Sequence, residues 1–544
     1  MCYWAIAGFC FALFLTVALA PATPDRRSLR LFGSSAAFGG LLLLAMLAWR
    51  WPAIFHFKPV NPDEPQFLAG GLTMLAQRGI WWTDPTTSGP LVVLPLTLPG
   101  LFGWPIDFAT GRVVALLLTW GQVFLAYLGL RHVHGDRWAR VLVLPLACLM
   151  VFLLFWDFVP YCSELAPVFL CALATWLGVT AFSPDGRLIS PRRIMGCGFI
   201  LGILPFSKFQ VLPLGAAIGV AISIWAFCQP GVDRGKGLRD MLCLWTGTGA
   251  ALALMLASLW WSGLGEDVYQ SYVVHNLQYA QARALGWGAS GYILTYLTNL
   301  SWGFATFHWG ALLLLLISLL ALRRAHWRQL LLGWLLLLSA YLAMLTPGRL
   351  YPHYLLFLPL PLTLLVGLQF GWLFKAPEVA RRNHTRLWVS LFLGLGVLPQ
   401  LAERVWDGHS LQKLIPPANP RANVVRFINQ VKRPGDRLAV WGWRPELYVE
   451  TQLPQATREA HTNGQLLDTP LRDYFRTRFV DDLRASRPAF FIDSVGAEDF
   501  GHHDIRQDGH ETLPALADYV GQEYVQVNQN GAVRVYVRRD LAKQ

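Results

Sequence analysis

The residues best suited to chemistry are few, and they sit where long apolar runs break. Asp63 and Glu64 lie in Asn61-Pro-Asp-Glu-Pro-Gln66, after one apolar run and before an amphipathic stretch from Phe67 to Gly79 that leads into Trp81-Trp82-Thr83-Asp84. Acids in the first helical turn are favoured by its dipole, so the pair reads either as a cap or as a reactive group. Neighbouring residues do not share a helix face. One carboxylate can therefore face a cavity while the other anchors the loop, which is what a single general base requires. Asp157 and Glu164 flank a second turn, Asp157-Phe-Val-Pro-Tyr-Cys-Ser-Glu164, and mark either a solvated turn with a helix start or a second acidic subsite. The cations are Lys208, between a short apolar run and its successor, Arg349 in Thr346-Pro-Gly-Arg-Leu-Tyr-Pro-His353, Arg112 at the start of a run, and Arg78. Each has a plainer alternative: snorkelling for Lys208, an interfacial anchor for Arg349, packing with Asp107 for Arg112 and solvent for Arg78.

These groups must be held by helices in a bilayer. The chain has 544 residues, 54% hydrophobic and 14% charged, against about 25% charged in a soluble domain. Apolar runs long enough to cross a hydrocarbon layer recur through the first 402 positions and predict about twelve spans. They lie near 2–20, 34–53, 109–130, 141–156, 164–182, 195–206, 209–228, 241–261, 303–322, 329–346, 355–374 and 387–402. The first lacks a basic leader segment and reads as a retained span. Every second connection is basic: Arg26, Arg27 and Arg30; Arg131, Arg137 and Arg140; Arg187, Arg192 and Arg193; Arg234, Lys236 and Arg239; Arg323, Arg324 and Arg328; Lys375, Arg381, Arg382 and Arg386. That side is cytoplasmic by the positive-inside rule, so the net charge of +12 reports orientation and excludes nucleic acid as a partner. The acids and the candidate cations fall on the other side. The eight cysteines lie in or beside apolar runs and show no disulfide or zinc spacing.

From residue 403 the charges become dense, Pro416, Pro417 and Pro420 punctuate the entry, and apolar runs shrink to strand length. Residues 403–544 therefore read as an extracytoplasmic α/β domain after a membrane domain at 1–402. Helices are expected at 422–431, 468–485 and 511–520, strands at 438–442 and 489–493, and a terminal hairpin over 524–537. Gly501-His-His-Asp-Ile-Arg-Gln-Asp-Gly-His510 is expected to be a solvated loop. The loop at 262–302 carries Glu266, Asp267, His275 and Tyr279; it reads either as a lid or as an interfacial segment with a satisfied histidine.

The acidic pair after an early span, the surface stretch, Ser88-Gly89-Pro90 and Asp107-Phe-Ala-Thr-Gly-Arg112 together resemble the GT-C glycosyltransferases. The nearest branch is that of protein O-mannosyltransferases and lipid A aminoarabinose transferases. Leu204-Pro-Phe-Ser-Lys208, Pro352-His-Tyr-Leu-Leu-Phe-Leu-Pro359 and the α/β tail extend the match over most of the chain, whereas Ser88-Gly-Pro-Leu91 stands where aminoarabinose transferases carry Lys-Pro-Pro-Leu. The resemblance implies an α-helical polytopic membrane protein of GT-C type in a bacterial inner membrane. It implies inverting transfer of a sugar from a polyprenyl-phosphate donor to a hydroxyl of a lipid, glycan or protein acceptor. It further implies Asp63 as base, Glu64 as a supporting or acceptor-positioning group and His353 on the donor phosphate; the charge that grows on such a leaving phosphate calls for cations near the outer boundary, for which Lys208, Arg349 and Arg112 are the candidates. Asp157 and Glu164 would contact the acceptor or a divalent cation; no cofactor is otherwise called for. The rival class is a transporter or flippase, kept in view by the short runs at 195–206 and 209–228. A third is a non-catalytic glycan-export partner.

Overall fold

The computed structural model describes residues 2–19, 34–56, 59–77, 79–153, 157–183, 187–227, 234–281, 290–299, 301–320, 327–370, 394, 397–400, 402, 422–496 and 499–542. Outside them lie Arg78, the basic connections at 26–30, 323–324 and 375–386, most of the span expected at 387–402, and the proline-marked entry at 403–421.

Ahead of the tail the described helices include α1 (Cys2–Leu19), α2 (Ser35–Ile54), α3 (Glu64–Gln77), α4 (Leu94–Leu101), α5 (Phe108–His134), α6 (Asp136–Phe152), α7 (Leu165–Thr180), α8 (Pro191–Ile203), α9 (Leu212–Phe227), α10 (Arg234–Ser262), α11 (His275–Gln281), α12 (Ser290–Asn299), α13 (Trp302–Leu320), α14 (Trp327–Leu345) and α15 (Pro359–Phe370). Among the described residues five segments are long and apolar enough to cross a membrane: 35–54, 108–134, 209–227, 234–262 and 352–370. Shorter apolar helices lie at 3–19, 165–180, 302–316 and 331–345. Local chemistry sets their starts. Ser34 accepts from the Ala37 N–H and Asp107 from the Thr110 N–H, at 3.1 and 2.8 Å, which satisfies donors that a helix end leaves open.

Two polar devices tie the bundle together. Arg50, buried within α2, donates from Nε and Nη2 to the Met150 carbonyl at 3.1 and 2.6 Å, where the last turn of α6 leaves carbonyls free and the helix dipole favours a cation. Helices α8 and α10 touch through backbone. A Cβ on Gly198 would lie 1.9 Å from the Leu244 carbonyl oxygen, one on Gly202 2.4 Å from that of Thr248, and one on Gly247 2.2 Å from that of Met195. Gly198 and Gly202 form the small-xxx-small spacing that permits such an approach in lipid, and the Thr248 hydroxyl reaches the Gly198 carbonyl at 3.1 Å. Gly198→Val is therefore expected to force these helices apart and lower the apparent melting temperature in detergent by several degrees, whereas Val at Gly249, which has open space around it, leaves it unchanged.

The tail is built on a four-stranded sheet of order β1-β2-β4-β3, with β1 (Leu438–Trp441) parallel to β2 (Phe490–Asp493) and β4 (Val533–Arg538) antiparallel to both β2 and β3 (Tyr524–Asn530). Alternation sends Leu438, Val440, Phe490, Ile492, Val535 and Val537 to one face, against α16 (Ala422–Val431) and α17 (Glu446–Thr451). Ala439, Trp441, Phe491 and Tyr536 go to the other, against α18 (Arg472–Ser486) and α19 (Pro514–Glu523). Both faces are covered, which is why β1 and β2 read as continuous apolar runs. The expected hairpin forms with longer strands and a bulge between Gln526 and Asn528.

The tail docks on the loop side of the bundle. Ala69 of α3 packs into the first tail core, the Gln455 N–H donates to the Thr73 hydroxyl at 2.9 Å, and Gln452 donates to the Ile106 carbonyl at 3.1 Å.

Candidate active site

A cavity of about 350 Å³ opens between the loop ends of the bundle and the tail. Its bundle side is lined by Asn61, Asp63, Ser88, Asp157, Lys208, Arg349 and His353, and its roof by tail residues.

Asn61 sets the position of Asp63. Its side-chain oxygen accepts the Asp63 N–H at 2.7 Å, a local turn that Asn forms readily, and its amide nitrogen donates to Asp157. The Asp63 side chain is left facing the cavity: among the described residues its carboxylate makes no hydrogen bond and no ion pair. Burial raises its pKa above the ordinary carboxylate range. The His353 charge opposes that shift, Asp157 and Glu164 reinforce it, and Lys208 opposes it.

Glu64 points the other way. Its two oxygens take Arg112 Nε and Nη2 at 2.6 and 2.7 Å, both side chains fully buried, while Arg112 also donates to the Ala53 carbonyl at 2.9 Å. This corrects two expectations. Neither Glu64 nor Arg112 lines the cavity, and Arg112 packs with Glu64 rather than with Asp107, which caps α5 instead. Together they clamp the end of α2 to the start of α3, with the Val60 N–H also donating to Glu64 at 3.1 Å. The adjacent acids thus divide into one anchor and one open group.

Asp157 and Glu164 are buried, so neither marks a solvated turn. Asp157 lines the cavity with one oxygen on Asn61 and the other 3.3 Å from His353 Nδ1. Glu164 lies behind the wall and binds Lys208, whose Nζ also donates to Ser163 at 2.6 Å and sits 5.2 Å from the Tyr354 ring centre. Lys208 is brought here by the turn between α8 and α9. The Gly89 N–H donates to the Ser207 carbonyl at 2.7 Å, and a Cβ at Gly89 would sit 2.1 Å from the Phe206 oxygen, so the Ser88-Gly89 loop can lie against that turn only with glycine. Arg349 stacks 4.1 Å over the Tyr279 ring and donates to the Tyr351 hydroxyl at 3.1 Å. Among the described residues it has no carboxylate partner. Ser271, His275, Gln278 and Tyr279 line the cavity as well, which puts residues 271–279 in its wall.

The sequence gives no warning of Arg478. It joins Asp84, in the connection between α3 and α4, at 2.5 Å, Glu459 of the tail at 2.7 Å and, more loosely, Asp267, between α10 and α11, at 3.9 Å. Nothing distinguishes it from the other tail arginines before the loops are brought together. The segment Gly501–His510 also departs from expectation: His502 and His510 are buried rather than solvated. Asp493, His510 and Glu511 bring ligand atoms within 4.8 Å of one another. Arg534 already binds Asp493 at 2.5 Å and also pairs with Glu511, so the cluster is an ion-pair network, with His510 2.6 Å from Asp493.

No protein-family model matches the chain, and no curated protein matches it in sequence. Solved structures do. ArnT from Cupriavidus metallidurans bound to undecaprenyl phosphate superposes with a TM-score of 0.55 at 13% identity, over 93% of this chain and 99% of that one. The apo state of the same protein gives 0.53 at 14%, over 92% and 98%. The oligosaccharyltransferase AglB from Archaeoglobus fulgidus, in complex with an inhibitory peptide and a dolichol-phosphate, gives 0.49 at 11%, over 93% and 74%.

Proposed function

We propose that this chain, built on the GT-C fold that it shares with ArnT, is a membrane glycosyltransferase that moves a sugar from a polyprenyl-phosphate donor to a hydroxyl acceptor. The observation that carries the reading is one cavity lined by Asp63, whose carboxylate has no partner among the described residues, and by Arg349, whose guanidinium meets Tyr279 and Tyr351 but no described carboxylate. Asp63 takes the acceptor proton, the freed oxygen attacks the anomeric carbon, and the bond from that carbon to the phosphate oxygen breaks with inversion. Negative charge grows on the leaving lipid phosphate, and a cation already in place stabilises it. Arg349 meets that charge directly. Lys208, paired with Glu164 and Ser163, and His353, beside Asp157, complete the donor end. The ArnT structure with undecaprenyl phosphate supports a lipid-linked donor.

In this reading the cavity opens on the outer face of a bacterial inner membrane, residues 1–402 form the membrane domain, and residues 403–544 form an extracytoplasmic domain above the site. The acceptor is a lipid, a glycan or a protein. The broken segment between α8 and α9, which kept a transporter in view, seats Lys208 in the cavity wall.

The test is transfer by the purified chain in nanodiscs from isotope-labelled polyprenyl-phosphate sugars to envelope acceptors. Label moving to an acceptor supports the reading, and no transfer with any donor, alongside uptake into vesicles, overturns it. Arg349→Gln is expected to weaken undecaprenyl phosphate binding by roughly 10- to 100-fold, the range for losing a charged hydrogen bond. Unchanged affinity by native mass spectrometry would remove Arg349 from the donor site.

A further inference from the structure

The two ends of the cavity differ in chemistry. Toward the bundle it presents Lys208 and Arg349. Toward the tail it presents Trp443, Phe500, Phe475, His461, Asn463 and Thr469, and no lysine or arginine among the lining residues. Glu459 and Asp468 also line this end, each paired with an arginine that does not line it: Glu459 with Arg478 at 2.7 Å and Asp468 with Arg472 at 3.0 Å.

The aromatic groups form an ordered set. His461 stacks on Trp443 with ring centres 4.5 Å apart and planes at 22°, and Phe500 meets the same indole edge-on at 5.0 Å. His275 stands edge-on to Phe475 at 5.4 Å. Both imidazoles are neutral at physiological pH. Burial lowers His461 to about 3, with His502 and His275 adding to it, and burial lowers His275 to about 4, with Arg478 adding to it. The tautomer of His461 is set as well. Its Nδ1 accepts the Asn463 N–H at 3.3 Å, so its Nε2–H donates to Gln66 at 3.0 Å. The indole N–H of Trp443, though buried, has no hydrogen-bond partner among the described residues.

A wall of flat apolar faces, amides, hydroxyls and two carboxylates, with no cation of its own, is poorly matched to a phosphate, which would lose its water without gaining a counter-charge. It is well matched to an uncharged sugar ring, whose C–H face lies on an aromatic plane while its hydroxyls meet polar groups at the edge. We infer that the tail end of the cavity is a saccharide subsite, so that the acceptor is a glycan whose terminal ring packs against the part of Trp443 that His461 and Phe500 leave open to the cavity and points a hydroxyl toward the bundle end, where Asp63 lies. This rests on the reading of the cavity as a glycosyl-transfer site.

The test uses the full chain in nanodiscs and saturation-transfer NMR with the neutral methyl glycosides of glucose, galactose, mannose and N-acetylglucosamine. A threonine-containing hexapeptide and glycerol phosphate serve as the competing chemistries. At least one glycoside is expected to bind. Trp443→Ala should weaken it about tenfold, and Trp443→Phe should restore most of that loss. Undecaprenyl phosphate affinity, read on the same samples, is expected to stay unchanged in both variants and to fall in Arg349→Gln. Binding of no glycoside, whether or not the peptide or glycerol phosphate binds, overturns the subsite, as does glycoside binding that Trp443→Ala leaves intact. Loss of lipid phosphate binding in the wild type would instead overturn the donor reading, with the glycoside result standing by itself.

Discussion

Asp63→Asn is expected to lower turnover by roughly 10²- to 10⁴-fold, the range that a positioned general base contributes, while leaving the fold and undecaprenyl phosphate binding in place. The amide keeps the shape and cannot accept the proton. Among the described residues no hydrogen bond or ion pair depends on the lost charge. A fall in melting temperature comparable to that of a core variant would mean that Asp63 is structural. The same assignment fixes the sign of a pH effect. A base works deprotonated, and burial raises the Asp63 pKa, so kcat/KM should fall as pH drops through a midpoint above the ordinary carboxylate range. An acid limb at or below that range would count against Asp63.

The second large effect concerns stability. Glu64→Gln leaves Arg112 buried with an amide in place of its carboxylate, and breaking a buried pair in this way costs about 3–5 kcal/mol. Thermal unfolding in a fixed detergent should show a marked loss. The double variant Glu64→Leu with Arg112→Met should recover much of it, because removing both charges removes the uncompensated one. If Glu64 instead acted on substrate, Glu64→Gln would lower kcat with the melting temperature unchanged, and the double variant would be inactive yet no less stable than the single.

Much of this arrangement is legible in the sequence because it follows from local rules. Five of the expected spans, near 34–53, 109–130, 209–228, 241–261 and 355–374, follow from apolar length, and the tail strands from short runs bounded by turns. The rule that adjacent helix residues diverge already separates Asp63 from Glu64. What that rule leaves open is which acid faces inward, and it is decided by Arg112, whose partner lies 48 positions away. Asp157 and Glu164 read equally well as a solvated turn, since their burial depends on His353 and Lys208 arriving from distant segments. The α8–α10 contact was written in Gly198 and Gly202 but had no meaning before a partner helix was known. Arg478 and Trp443 had no local signal: one joins two loops to the tail, and the other becomes part of a site only when the tail is docked.

The central claim is that Asp63 and a lipid phosphate meet in this cavity. Electron cryomicroscopy of the chain in nanodiscs containing undecaprenyl phosphate tests it most directly. The account requires phosphate density against Arg349, with the Asp63 carboxylate facing the same space and Glu64 still on Arg112. Phosphate bound elsewhere on the bundle, or Asp63 turned out of the cavity in the loaded state, would contradict it.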